Sequence, residues 1–70
     1  MAELKVIHDR DGKTLTVWFG NSRDEYVCEE TGDEVVLMKD SSGHVIGFEK
    51  LNFSVPDPES LDVSLETAPA

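Results

Sequence analysis

Val35-Val36-Leu37-Met38-Lys39-Asp40-Ser41-Ser42-Gly43-His44-Val45-Ile46-Gly47-Phe48-Glu49-Lys50-Leu51 decides the fold. Two apolar stretches flank a short polar break. The break, Asp40-Ser41-Ser42-Gly43, carries turn residues. Asp and Ser side chains bond nearby backbone, and glycine accepts a positive φ. The stretch therefore reads as strand, turn, strand. Val35 to Met38 is apolar at every position. An antiparallel strand with one wet face alternates instead, so both faces of this strand are expected to be covered. In the next strand, Ile46 and Phe48 are expected on one side, and Val45, Leu51 and Phe53 on the other. Gly47 inside it marks a bulge or a close backbone approach.

The same pattern extends in both directions. Gly12, Gly20 and Gly32 sit in further polar breaks. Between the breaks, Leu4, Val6 and His8 alternate with Lys5 and Ile7. Leu15, Val17 and Phe19 alternate with Thr14, Thr16 and Trp18. Threonine and β-branched residues suit a pleated surface. Tyr26, Val27 and Cys28 form a short third segment. Short strands at close spacing predict an all-β fold, a small antiparallel sheet or partly open barrel of five to six strands. Residues 1–53 form the expected core. A proline-containing connection follows at 54–60. Leu61, Val63 and Leu65 then alternate with Asp62, Ser64 and Glu66, which predicts a sixth strand over 61–67 and a frayed end at 68–70.

Seventy residues make one domain at most. A domain of this size hides only about 60% of its unfolded surface, so extra burial is needed. Cys28 is the only cysteine, which excludes a disulfide within the chain. A lone thiol without a secretory leader predicts a reducing, cytoplasmic setting. No apolar run approaches the roughly 20 residues of a membrane span. Oligomerisation is the expected source of burial. Trp18, Val36, Met38 and Phe53 are the expected homodimer interface, since one copy offers them too few partners.

The net charge is −9. Such a chain repels nucleic-acid phosphate and anionic lipid. A basic protein is the more plausible partner, and Glu29, Glu30, Asp33 and Glu34 are the densest acidic cluster to face it. The alternative for this cluster is a solvated loop around Gly32.

These residues resemble the domain of unknown function 2283 family of small bacterial proteins, over roughly residues 4–53. The resemblance is carried by Lys39-Asp40-Ser41-Ser42-Gly43-His44-Val45-Ile46-Gly47-Phe48-Glu49-Lys50-Leu51-Asn52. Family members have an apolar pair, an acidic turn with glycine, then a Val/Ile-Gly-Ile/Phe-Glu-x-Leu stretch. Ile7-His8-Asp9 and Leu15-Thr16-Val17-Trp18-Phe19 are similar to its first hairpin, with His8-Asp9 where members commonly have Tyr-Asp. The resemblance implies no established activity. An association of some members with small toxin-like proteins implies an antitoxin role for those members.

No catalytic or metal constellation emerges. Asp9-Arg10-Asp11-Gly12 lacks the third oxygen ligand and terminal Glu of a calcium loop, and reads as a hairpin turn. His8 and His44 are the only histidines, and zinc would need two more ligands. Cys28 with a histidine could form a nucleophile pair, but no oxyanion donor or base orienter accompanies it. The expectation is therefore no enzyme, no cofactor and no metal. The alternative is a small-ligand or enzymatic pocket between packed sheets, using Cys28, His8 or His44. Glu49 interrupts the apolar pattern of its strand, and is expected to face solvent, to pair with a base other than Lys50, which points to the opposite face, or to block unwanted edge pairing.

Overall fold

The computed structural model describes residues 3–56 and 60–69. Five strands form one antiparallel sheet: β1 (Lys5–Asp9), β2 (Thr14–Trp18), β3 (Val27–Glu30), β4 (Val35–Lys39) and β5 (Val45–Lys50). Their order is β1-β2-β5-β4-β3. The sheet stays open, with β1 and β3 as its edges. No helix is long and apolar enough to cross a membrane among the described residues.

Each hairpin is closed by the chemistry of its turn. Asp9 Oδ1 accepts from Gly12 N–H at 2.9 Å, so the acidic turn is a hairpin device. Asp40 Oδ1 accepts from the N–H groups of Ser42 and His44, both at 2.9 Å. Gly43 follows at φ 85°, a conformation that costs glycine little. Between β3 and β4, Thr31 donates to the Val35 carbonyl through both N–H and Oγ1.

One connection crosses the sheet. After β2, the chain turns at Phe19 and Gly20, whose N–H groups both donate to the Ile46 carbonyl. A short 3-10 turn at Ser22–Asp24 follows, capped by the Asn21 side chain. Tyr26 N–H then donates to the Lys39 carbonyl, which starts β3 on the far edge. The crossing lets β2 pair with β5 and places Glu25 beside β3.

The register sorts every strand residue onto one of two faces. Lys5, Trp18, Gly47, Met38 and Cys28 form one row across the front face, and Ile7, Thr16, Glu49, Val36 and Glu30 the next. Val6, Val17, Phe48, Leu37 and Glu29 form a row on the back. Gly47 apart, only Met38 and Ile46 are buried among the described residues. They lie on opposite faces, so no single interior gathers the apolar side chains.

Gly47 shows why glycine stands in a central strand. A Cβ there would lie 2.7 Å from the Trp18 ring and 2.8 Å from the Val17 carbonyl. The missing side chain lets the indole rest against β5. The ladder irregularity expected near it is also present: Met38 pairs with Gly47 and Lys39 with Val45, which leaves Ile46 of β5 as the extra residue beside Gly47.

Two expectations change. Phe53 does not join Val45 and Leu51. Asn52 at φ 54° redirects the chain, and the Phe53 ring meets His8 edge-on at 5.5 Å on the back face. Residues 61–67, expected as a sixth strand, carry no strand in the single chain. Val63 and Leu65 stand 68% and 92% exposed.

Candidate functional site

The front face holds a groove of about 310 Å³. Its floor is Trp18, Val36 and Met38, and its flanks are Ile7 and Thr16 on one side and Glu25 and Cys28 on the other. Glu49 lies among them. Strand alternation explains the floor. Trp18, Val36 and Met38 share a parity across β2 and β4, and Gly47 between them leaves the surface open. A second hollow of about 450 Å³, at the end of the sheet near Glu3, Lys5 and Asn21, is lined largely by polar groups.

The polar groups of the groove are mostly acidic. Thr16 Oγ1 donates to Glu49 Oε2 at 3.4 Å, a weak contact. Cys28 Sγ–H donates to Glu25 Oε2 at 2.6 Å. That bond, then slight burial, then the charges of Glu25 and Glu49, push the thiol pKa up. The thiolate is the nucleophile of cysteine chemistry, so this setting quenches Cys28 rather than activating it. None of the side chains lining the groove is basic.

The expected interface residues separate. Trp18, Val36 and Met38 come together on the groove floor, whereas Phe53 is on the other face. The expected acidic cluster separates too. Glu29 pairs with Lys39 at 2.6 Å. Glu34 pairs with Lys50 at 3.2 Å and accepts from Asn52 at 3.0 Å. Those bonds hold the Glu34 carboxyl below its usual range. Asp33 stays in the turn, and Glu30 turns to the front beside Val36. The residues that give the groove its charge are therefore Glu49 and Glu25. Glu49 was visible as a break in an apolar strand. Glu25 carried no signal, because its position follows from the crossing connection.

His44 is exposed, with Nδ1 3.5 Å from Asp40. His8 is half-buried, and its Nε2 is enclosed without a hydrogen-bond partner. Neither histidine lines the groove. Among the described residues, no three His, Cys, Asp or Glu side chains cluster as a metal site requires.

The family model described as Protein of unknown function (DUF2283) matches residues 5–54. The chain belongs to the DUF2283 family. The matched span starts with β1 and ends just beyond Phe53. It therefore takes in all five strands and every residue of the groove, and leaves the segment from residue 55 onward outside the family's shared core. No curated protein and no solved structure matches this DUF2283 chain significantly.

Proposed function

We propose that this chain is a protein-interaction domain, antitoxin-like in kind, that receives a basic partner protein in its front groove. The observation that carries the reading is Glu49. It stands among Trp18, Val36 and Met38, with Glu25 on the rim and no basic side chain lining the groove. A carboxylate beside an apolar floor offers an incoming ammonium or guanidinium group a charge-assisted hydrogen bond. The Trp18 face adds a cation–π surface. The net charge of −9 steers a basic protein toward the sheet. The lone exposed Cys28 suits a reducing, cytoplasmic setting.

The rival reading, a small-ligand or enzymatic pocket, needs a reactive Cys28 or a histidine in the groove. The hydrogen bond to Glu25 works against the first, and the lining lacks the second.

The test is affinity capture from native lysate at low and at high salt, with proteins identified by mass spectrometry. Wild type and Glu49→Gln serve as baits. One basic protein held at low salt, weakened at high salt and weakened by Glu49→Gln, supports the proposal. A partner held equally by both baits at both salts overturns it.

A further inference from the structure

We propose that residues 61–67 act as a donated strand, pairing with the open β1 edge of a second copy of this chain, reciprocally, to close a two-fold dimer. This inference is independent of the front groove. It starts from an exposed segment with strand periodicity and nothing to pair with. Val63 and Leu65 are 68% and 92% exposed while Asp62, Ser64 and Glu66 alternate with them. A period of two specifies a sheet with one covered face.

The edges of the sheet supply the acceptor. β3 carries Glu29 and Glu30, which repel an acidic strand. β1 has the uncharged centre Val6-Ile7-His8, with Lys5 at one end. Antiparallel pairing, the more stable kind, has one register that keeps parity over the whole of β1 and sets an acidic residue against Lys5. Leu65 then falls beside Val6, Val63 beside His8, and Glu66 beside Lys5. Val6 and His8 are the half-buried positions of β1, so the donated leucine and valine extend the apolar back rows. Asp62 falls beside Asp9 at the strand end, the one like-charge neighbour.

Surface area supports a second copy. A compact monomer of this mass exposes about 4,400 Å², and this chain exposes 5737 Å². The excess, about 1,300 Å², arises partly from the irregular segment and partly from the open sheet. It exceeds the roughly 800 Å² that each partner contributes to a standard interface.

The experiment is sedimentation velocity on the full chain across micromolar concentrations. The expected species has twice the 7.8 kDa chain mass. The double variant Val63→Asp, Leu65→Asp should be a folded monomer, because both side chains are already exposed in the single chain. Glu66→Lys and Lys5→Glu should each weaken the dimer roughly threefold or more, and together restore it. Asp62→Lys should tighten it by a similar factor. A wild-type monomer throughout the range overturns the proposal, and so does a dimer unaffected by the double variant.

Discussion

On the back of the sheet each lysine finds a carboxylate. Lys39 reaches Glu29 at 2.6 Å, and Lys50 reaches Glu34 at 3.2 Å. On the front, Glu49 meets a hydroxyl at 3.4 Å, and Glu25 meets a thiol. The two faces come from the same strands, one residue out of phase. The back is charge-neutral and partly covered by the chain's own Phe53. The front pairs an apolar floor with unmatched negative charge. A sheet built only for stability would have no reason to keep Glu49 among Trp18, Val36 and Met38. The difference is between a back whose charges are met within the chain and a front that buries Met38 yet carries Glu49 with no basic side chain beside it.

The largest expected effect breaks the back face. Ile46 is 9% exposed and lies under the Gly20 turn. Ile46→Ala should cost about 2–4 kcal/mol in urea unfolding, which would leave so small a domain largely unfolded. A loss below about 1 kcal/mol would mean that the back face is not the stabilising one.

Gly47→Ala probes the link between the faces. The added methyl meets the indole and a backbone carbonyl, and the carbonyl has little room to yield. A loss of about 1–3 kcal/mol is expected. The emission of Trp18, the sole tryptophan, should shift as the ring is displaced.

Glu49→Leu sharpens the comparison through its sign. On the stabilising face, removing a charge with good partners is costly. Here the stability should stay within about 1 kcal/mol of wild type, or rise, while capture of a basic partner is lost. A strongly destabilised Glu49→Leu variant would give Glu49 a structural role instead.

Acid acts on the paired carboxyls with the smallest effect. The bonds from Lys50 and Asn52 lower the pKa of Glu34, and the backbone N–H of His44, with that of Ser42, lowers that of Asp40. Both groups are depressed on folding, so their contribution is present above their ordinary values of 4.5 and 3.8. It is lost as pH falls through the lower folded values. Urea midpoints should therefore decline as pH drops below about 4.5, and the decline should shrink in Glu34→Gln.

Much of this fold is legible in local chemistry. The β4–β5 hairpin follows from Asp40, Gly43 and the apolar runs beside them. Gly47 announces the close approach that the indole makes. What stays illegible depends on contacts distant in the chain. The pairing of β2 with β5 needs the crossing at 19–26, and no periodicity encodes that crossing. Glu29 and Glu34 read as an acidic cluster because Lys39 and Lys50 become their partners only through strand register. Phe53 leaves its expected face because Asn52 adopts a left-handed conformation, which asparagine tolerates but does not announce. The groove is half legible: Trp18, Val36 and Met38 read as surplus apolar groups, whereas Glu25 and Glu49 join them only through the crossing and the strand register.

The most direct measurement of the central claim is Trp18 fluorescence during titration with the basic protein captured from lysate, in wild type and in Glu49→Gln. Groove occupancy predicts a saturable shift in Trp18 emission that weakens as salt rises and is reduced at least several-fold in affinity by Glu49→Gln. Binding that leaves Trp18 emission unchanged, or that is indifferent to Glu49, would contradict the assignment of the front face as the interaction surface.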